Sequence, residues 1–309
     1  MTPNSAIVFA GQGAQAVGMG RDFSEAYPEC RQMFMRANEI LGFDIARICF
    51  DGPIEELTKS NYCQPAIFLV SACGHAMFRA AVCDVIPAGC AGLSLGEWSA
   101  LYAADVLTFD DTLRVLEARG RFMQEACQEQ PGGMVSVIGL PLQDLSNICV
   151  AAGVEIANLN SADQTVLSGP KEAIIEAEKL AKAAGAKKTI VLNVAGAFHS
   201  KLMLSAAVKL EKLLATVTFK PPRFPVISNV TGQPHGTPDQ IRAMVVKQVT
   251  SSVHWSASVE WFKAAGVTRY VECGPGRILS GLIRRIDPAA ATFPAGDVAA
   301  LTAAITALK

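Results

Sequence analysis

The chain has 309 residues, of which 50% are hydrophobic and 18% are charged. A chain of this size and apolar content excludes disorder and has room for one main core and a smaller second unit. Its formal net charge of −1 gives no overall field that would attract nucleic acid or an anionic membrane surface, so we expect neither as a partner.

The cysteines and histidines indicate a reducing compartment and no metal site. The nine cysteines are odd in number, form no C-x-x-C pair and lie mostly in apolar runs, which is typical of buried free thiols. None of the four histidines has metal-ligand spacing to another histidine or to a cysteine. The N-terminus leads into a predicted strand without a basic and apolar leader, and no apolar run reaches the ~18 residues of a membrane span. We therefore expect a cytoplasmic protein.

The first predicted element is a buried strand followed by a glycine-rich loop. Ala6-Ile7-Val8-Phe9-Ala10 is a continuous apolar run, typical of a central parallel strand, and Gly11-Gln12-Gly13-Ala14-Gln15 follows it. Such a loop places backbone N–H groups at the carboxyl edge of a sheet, where α/β proteins bind ligands. A dinucleotide fingerprint is excluded, because Ala16 stands where its third glycine would fall.

The next motif has the G-x-S-x-G spacing of a nucleophile elbow. Predicted helices near 23–41 and 66–81 and a short strand of small residues at 88–91 precede Gly92-Leu93-Ser94-Leu95-Gly96, and a helix follows with Glu97 in its first turn. In an elbow, a tight strand-to-helix turn presents the serine Oγ to a base and a substrate, and the glycines leave room for neighbouring chain. The alternative is that Ser94 only caps the helix and the glycines serve packing.

The clearest predicted helix runs from Asp110 to Cys127, because apolar residues recur along one face. Gly120 lies on that face and costs up to ~1 kcal/mol relative to alanine, which predicts a close backbone approach. Arg119 lies at the edge of the apolar stripe. Its side chain either extends along the surface to solvent or binds a ligand.

After Pro131-Gly132-Gly133 the pattern changes to β-α-β-β-α-β, which is the ferredoxin-like unit. Its predicted strands are 134–138, 154–159, 165–168 and 189–192, and its predicted helices are 142–152 and 170–184. We therefore predict a subdomain over 131–196, inserted into a main domain formed by 1–130 and 197–309.

The main domain continues with further alternation of strands and helices. Strands are predicted at 225–229 and 269–272, helices at 238–249 and 256–265, and a last helix after Gly274-Pro275-Gly276. The predicted fold class is therefore α/β, with a parallel-sheet main domain and the inserted subdomain.

A serine at an elbow needs a base, and the four histidines limit the search. His75 lies in an apolar helix, His235 lies in a loop where we expect it to be solvated, and His254 lies at a helix start. His199 remains, at the point where the chain returns to the main domain. We interpret His199 as the candidate base for Ser94.

Six motifs together resemble the malonyl-CoA:acyl carrier protein transacylases, in the order and spacing of that family over nearly the whole chain. They are Phe9-Ala10-Gly11-Gln12-Gly13-Ala14-Gln15, Gly92-Leu93-Ser94-Leu95-Gly96-Glu97, Arg119-Gly120-x-x-Met123-Gln124, Ala197-Phe198-His199-Ser200, Asn229-Val230 and Gly274-Pro275-Gly276. The resemblance implies an α/β-hydrolase-like domain with a ferredoxin-like insertion, which agrees with the periodicity.

The resemblance also implies roles for single residues. Ser94 would be the nucleophile and His199 the general base and later acid, with the backbone carbonyl of Gln248 orienting the histidine. The backbone N–H groups of Gln12 and Leu95 would form the oxyanion hole. Arg119 would bind the malonyl carboxylate, which suits its planar fork of donors.

Two further positions are implied to shape the acyl pocket. Phe198, beside the base, would keep the pocket small and so favour malonyl units. Leu93 departs from the family, which often has histidine there. Because that position flanks the nucleophile, we expect Leu93 to alter the fit of the substrate and not the mechanism.

The implied reaction is a two-step acyl transfer that supplies fatty acid synthesis. Malonyl-CoA acylates Ser94, CoA leaves, and the pantetheine thiol of an acyl carrier protein takes the malonyl group. CoA is then part of a substrate, and we expect neither a metal nor a redox cofactor. Alternatives are an acyltransferase of a polyketide synthase, an acyl thioesterase or other serine hydrolase, and a non-catalytic carrier-binding scaffold.

Carrier proteins of this type are acidic, whereas this chain is nearly neutral, so docking would need a local basic surface. The candidate basic side chains are Lys187, Lys188, Lys201, Arg277, Arg284 and Arg285. For each of them, an ordinary solvated side chain is the alternative.

Overall fold

The computed structural model describes residues 4–82 and 86–308, and within them it has eight strands and fourteen α-helices. The strands are β1 (Ser5–Phe9), β2 (Gly89–Gly92), β3 (Gly132–Ile138), β4 (Glu155–Ser161), β5 (Gln164–Pro170), β6 (Lys188–Val191), β7 (Arg269–Cys273) and β8 (Ala291–Ala295). The helices are α1 (Arg21–Ala26), α2 (Pro28–Leu41), α3 (Ile45–Asp51), α4 (Ile54–Leu57), α5 (Ser60–Ala81), α6 (Leu95–Ala103), α7 (Phe109–Glu129), α8 (Leu142–Ala152), α9 (Lys171–Ala183), α10 (Leu204–Leu214), α11 (Pro238–Lys247), α12 (Trp255–Ala264), α13 (Ile278–Ile286) and α14 (Val298–Leu308).

The main unit is a parallel sheet with the strand order β2-β1-β7-β8. Alternate residues of β1 enter different cores: Ile7 and Phe9 pack with α5 and α6, whereas Val8 packs with α12 and α13 on the other face. A parallel sheet covered on both faces needs apolar residues on both, which explains the continuous apolar run of β1. The carboxyl ends of β1 and β2 lead into the glycine-rich loop and the elbow.

The second unit is an antiparallel sheet with the strand order β4-β5-β3-β6. Helices α8 and α9 cover one face through a separate core that includes Val135, Leu145, Leu167 and Ile174. The order of elements is the predicted β-α-β-β-α-β, and the predicted fold class is confirmed. We propose that the boundaries follow this sheet, with the subdomain over 131–196 and the main domain over 1–130 and 197–309.

The second sheet is joined to the main unit by backbone hydrogen bonds. Val253 donates to Ala157 at 2.8 Å, and Leu159 donates to Val253 at 2.9 Å. These bonds extend β4 by one bridge into the segment between α11 and α12. The two sheets that bound the cleft are thus held together by contacts between residues far apart in the sequence.

Several predicted elements differ from the structure. The helix predicted near 23–41 is divided into α1 and α2, because Pro28 starts a new helix and has no N–H to continue the previous one. Helix α5 begins at Ser60, earlier than the predicted start at residue 66, and it contains Pro65. The strand predicted at 225–229 makes only isolated bridges. Strand β8 and helix α14 were not predicted, because the alanine-rich C-terminal sequence lacks a clear period.

The close approach predicted at Gly120 is confirmed. A Cβ atom at this position would overlap the carbonyl oxygen of Ser60, where α7 packs against α5. The glycine thus allows α7 to bring its neighbour Arg119 close to the start of α5.

No helix in the described ranges is both long and apolar enough to span a bilayer. Within the same ranges, no group of three or more histidine, cysteine, aspartate or glutamate side chains could hold a metal ion. The eight described cysteines are free, and all but Cys149 are buried, as predicted. Cys83 lies outside the described residues.

Candidate active site

Ser94 lies on a sharp turn between β2 and α6, in the arrangement of a nucleophile elbow. Its backbone has φ 54° and ψ −106°, a conformation that costs about 1–3 kcal/mol for a residue with a side chain. A Cβ atom on Gly92 would overlap the backbone of Gly96, and one on Gly96 would overlap the carbonyl oxygen of Phe9. The Ser94 side chain makes no helix-cap hydrogen bond, so the alternative that it only caps α6 is wrong.

Asn229 holds the strained turn from both sides. Its Oδ1 accepts a hydrogen bond from the Ser94 N–H at 2.7 Å, and its Nδ2 donates to the Gly92 carbonyl at 2.8 Å. From the sequence, Asn229 is recognised only within the two-residue motif Asn229-Val230 and has no predicted contact. The contact joins residues 135 positions apart, so no local pattern indicates it.

His199 contacts Ser94 directly. Its Nε2 lies 2.8 Å from Ser94 Oγ, and its Nδ1 lies 2.9 Å from the backbone carbonyl of Gln248. Because a carbonyl can only accept, Nδ1 carries the hydrogen and Nε2 has the lone pair that faces the serine. The structure therefore brings together the predicted nucleophile, base and orienting carbonyl, whose roles stay predictions.

The surroundings of His199 favour its neutral form. Burial and, to a smaller extent, the positive charge of Arg119 together lower the pKa of His199 to about 4, against the opposing effect of the Gln248 carbonyl. A neutral imidazole at physiological pH is the form that can accept the hydroxyl proton of Ser94.

Arg119 is buried beside the nucleophile, with only 1% of its surface exposed, so the surface alternative is wrong. Its Nη1 donates to Gln64 Oε1 at 2.7 Å, and its Nη2 donates to Gln248 Oε1 at 2.9 Å and to Ser94 Oγ at 3.3 Å. Burial lowers the pKa of Arg119 to about 10, which leaves the guanidinium charged near neutral pH. Among the described residues these bonds go to amide and hydroxyl oxygens and none to a carboxylate, so an anionic substrate group would find an unpaired cation here.

Glu97 and His235 form a buried pair behind this site. His235 Nε2 lies 2.7 Å from Glu97 Oε1, and the two side chains are 1% and 0% exposed. The expectation that His235 is solvated was wrong. Its loop folds back onto the main unit, where the backbone N–H of His235 donates to the Val226 carbonyl at 2.8 Å. Sequence reasoning identified Glu97 only as a favourable charge in the first turn of α6.

The Gln248 side chain connects Glu97 to Arg119. Its Nε2 donates to Glu97 Oε2 at 2.6 Å and to the Ser94 carbonyl at 2.9 Å, while its Oε1 accepts from Arg119. Only the backbone of Gln248 was predicted to have a role. Gln64, the other residue that holds Arg119, precedes the helix predicted at 66–81, and no local pattern indicates its contact with Arg119.

The two sheets enclose a cleft of about 570 Å³ that contains Ser94 and His199. The main unit contributes Gln12, Leu93 and Phe198 to its lining, while the second sheet contributes residues of β3, β4 and β5. The predicted pocket residues therefore face one cavity next to the serine. The effects of Phe198 and Leu93 on substrate selection stay predictions.

Of the two predicted oxyanion-hole residues, Leu95 belongs to the elbow and Gln12 lies in the glycine-rich loop that packs against it. Leu95 is the first residue of α6, so its N–H has no acceptor within the helix. Gln12 follows Gly11, whose backbone packs directly against Leu93 and brings this loop to the elbow. The Gln12 side chain donates to Ser60 Oγ at 3.2 Å, which helps to hold the loop. That both N–H groups stabilise an oxyanion stays a prediction.

The six basic residues predicted to form a docking surface are all exposed: Lys187, Lys188, Lys201, Arg277, Arg284 and Arg285. Two are engaged locally, since Lys201 lies 3.9 Å from Glu155 and Arg285 donates to Gln164 at 3.1 Å. Gln164 and Ile278, which neighbour Arg285 and Arg277 respectively, line the cleft. Their role in docking stays a prediction.

The chain is similar to known proteins over nearly its whole length. A family model described as the acyl transferase domain matches residues 6–279. A "Malonyl CoA-acyl carrier protein transacylase" of Escherichia coli (strain K12) is 40% identical over 304 residues, which cover 97% of this chain and 98% of that protein.

Solved structures are similar over the same extent. An acyl carrier protein S-malonyltransferase from Vibrio cholerae O1 biovar eltor superposes with a TM-score of 0.93 at 38% identity, covering 97% of this chain and 99% of its own. A malonyl-transacylase in complex with its type II PKS acyl-carrier protein superposes with a TM-score of 0.95 at 37% identity, covering 98% and 99%.

Proposed function

We propose a function for this chain from one premise: it belongs to the acyl transferase domain family and, within it, to the malonyl CoA-acyl carrier protein transacylases. The chain transfers the malonyl group from malonyl-CoA to the phosphopantetheine thiol of an acyl carrier protein through an ester on Ser94, and so supplies extender units for fatty acid synthesis. The observation that carries the proposal is the position of Ser94 Oγ, 2.8 Å from His199 Nε2 and 3.3 Å from Arg119 Nη2.

In the first half of the reaction, His199 Nε2 accepts the proton of Ser94 as Oγ attacks the thioester carbonyl. The backbone N–H groups of Gln12 and Leu95 stabilise the resulting oxyanion. When the intermediate collapses, the C–S bond breaks and the CoA sulfur takes the proton from His199. The second half repeats these steps with the pantetheine thiol as nucleophile, and it regenerates the free serine.

Arg119 supports malonyl rather than a plain acyl group as the substrate. A guanidinium buried without a carboxylate partner is costly, and a malonyl carboxylate would pair with it, whereas an acetyl methyl group would leave it unpaired. The thioesterase and serine hydrolase alternatives are disfavoured for the same reason. A non-catalytic scaffold is disfavoured because it would have no use for a strained serine in contact with a neutral histidine.

The proposed chemistry uses only groups of this chain, and CoA enters and leaves as part of a substrate, so the proposal includes no metal or redox cofactor. The partners are malonyl-CoA and an acidic carrier protein, for which the exposed basic residues beside the cleft would form the docking surface. We also propose a cytoplasmic location, supported by the eight free cysteines of the described chain.

A second candidate is malonyl transfer to the carrier protein of a polyketide synthase. It is favoured by the similarity to the malonyl-transacylase solved with a type II PKS acyl-carrier protein. The two candidates share the same chemistry and differ in the acceptor. Rates measured against a panel of purified fatty acid and polyketide carrier proteins would separate them.

The proposed function is tested by covalent labelling. The protein is incubated separately with radiolabelled malonyl-CoA and acetyl-CoA, and the labelled peptide is identified. We expect malonyl label on the peptide that contains Ser94, transfer of that label to holo carrier protein, and no label on a folded Ser94→Ala variant. Stoichiometric label on Ser94→Ala, or label from acetyl-CoA only, would contradict the proposal.

A further inference from the structure

Arg119 and Glu97 are a buried pair of opposite charges that do not touch each other. Both side chains are almost fully buried, at 1% and 0% exposure. The Gln248 amide lies between them, with Oε1 accepting from Arg119 Nη2 at 2.9 Å and Nε2 donating to Glu97 Oε2 at 2.6 Å. The guanidinium is thus separated from its nearest buried anion by one neutral amide.

The amide can bridge the two charges in one orientation only. A flipped Gln248 would present its oxygen to the Glu97 carboxylate and its NH2 group to the guanidinium, and both contacts would be repulsive. In the observed orientation, Nε2 also donates to the Ser94 carbonyl at 2.9 Å. The Gln248 backbone carbonyl lies 2.9 Å from His199 Nδ1. One residue therefore connects the two charges through its side chain and contacts the base through its backbone.

The other partners of Glu97 leave its negative charge in place. His235 Nε2 and the Asn229 N–H donate to its two oxygens at 2.7 and 3.2 Å. His235 Nδ1 is buried and has no hydrogen-bond partner among the described residues, which fits a neutral ring that donates from Nε2. The charge of Glu97 also raises the pKa of Arg119 against the effect of burial. Glu97 is therefore available to balance the charge of Arg119.

We propose that Glu97 is the displaced counter-charge of Arg119: a positioning residue that balances the guanidinium through the Gln248 amide, leaves it free to bind a substrate carboxylate, and keeps the bound malonyl group from becoming too stable to transfer. The effect on the bound malonyl group rests on the proposed malonyl transfer.

The balance follows from the charges at the site. The empty site holds one positive and one negative charge, and the malonyl carboxylate adds a second negative charge. Arg119 attracts that carboxylate, whereas Glu97 repels it from behind the amide. A transferase must pass its acyl group onward, so an anion that weakens the attraction favours turnover. Without Glu97, no second anion would weaken the attraction between Arg119 and the malonyl carboxylate, and the malonyl-enzyme would become more stable and slower to transfer its acyl group.

The proposal predicts an unusual effect of Glu97→Gln. We expect the equilibrium between malonyl-CoA plus free enzyme and malonyl-enzyme plus CoA to shift toward malonyl-enzyme by about tenfold, the scale of one charge interaction across roughly 12 Å at an effective dielectric constant of about 20. The acetyl-enzyme equilibrium should not change, because acetyl carries no charge. Both are measured as label retained on protein at fixed ratios of acyl-CoA to CoA.

His235→Gln is the matched control, because glutamine can still donate to Glu97 and no charge is removed. We expect it to leave the malonyl to acetyl partition, which is the ratio of the two acyl-enzyme equilibrium constants, at the wild-type value. A merely structural role of Glu97 would shift both acyl groups together or neither. If Glu97→Gln leaves the malonyl to acetyl partition unchanged, or lowers it, the proposal is overturned.

A stability cycle tests the charge pair without any substrate. Glu97→Gln and Arg119→Met each leave one buried charge unbalanced, so each should lower the thermal unfolding midpoint, or prevent folding. The double variant removes both charges and should unfold at a higher temperature than either single variant. A double variant less stable than both would refute the pairing. Absence of malonyl label on wild-type protein would instead contradict the proposed function, and this cycle would still decide the charge pair.

Discussion

His199 and His235 are both buried histidines of one site, but they have different partners. His199 has a neutral carbonyl at Nδ1 and faces Ser94 Oγ with Nε2, whereas His235 contacts the Glu97 carboxylate through Nε2. A carboxylate bonded to a histidine is the usual partner in a catalytic triad. Here that pair does not include the histidine that contacts the serine. A catalytic base has a ring nitrogen that faces the serine oxygen, as His199 Nε2 does, whereas the corresponding nitrogen of the structural histidine His235 is occupied by Glu97.

The largest expected effect separates the two histidines by activity. Ser94→Ala and His199→Ala should each lower malonyl transfer by about 10⁴-fold or more, and the double variant should be hardly slower, because nucleophile and base act as a unit. His235→Gln should change kcat/KM by less than about tenfold, because it keeps a donor to Glu97. The measurement is kcat/KM with malonyl-CoA and holo carrier protein. Multiplicative losses from Ser94 and His199, or an equal loss from His235→Gln, would remove the distinction.

The sequence predicted the half of the site that depends on local patterns. The elbow at Ser94 follows from glycine spacing, and the β-α-β-β-α-β order follows from periodicity. The Glu97 network could not be predicted in the same way, because its hydrogen bonds to His235 and Gln248 join residues 138 and 151 positions apart. A loop histidine is usually solvated, and only the folded chain shows that this loop turns inward.

The second prediction concerns Arg119, whose Nη2 donates to Ser94 Oγ at 3.3 Å. Loss of one partner of a buried charge pair commonly costs ~2–5 kcal/mol, so Arg119→Ala should lower malonyl transfer by roughly 30- to 5,000-fold. Acetyl transfer or hydrolysis should hold steady or rise. Arg119→Lys should recover only part of the malonyl activity, because a point charge cannot replace the fork. If kcat/KM for malonyl-CoA and acetyl-CoA fall together, Arg119 is structural.

The third prediction concerns stability, for which we expect His235 to matter through its hydrogen bond to Glu97. His235→Ala leaves a buried Glu97 oxygen without its donor, which should lower the free energy of unfolding by about 1–3 kcal/mol. His235→Gln should lose less, because its amide can donate in the same place. Denaturant unfolding of both variants checks this difference. Equal losses would mean that packing, and not the hydrogen bond to Glu97, explains the burial of His235.

The smallest effect is a shift in pH dependence. Because protonated His199 cannot act as a base, the rate at which a serine-directed sulfonyl fluoride modifies Ser94 should rise with pH through about 4, the lowered pKa of His199, and be constant near neutrality. The positive charge of Arg119 contributes to this lowering. Arg119→Met should therefore move the midpoint of the rate profile toward higher pH. His235→Gln should not move it, because the ring of His235 contacts Glu97 and not the serine. If His235→Gln moves the midpoint and Arg119→Met does not, the assignment of His199 as the base is wrong.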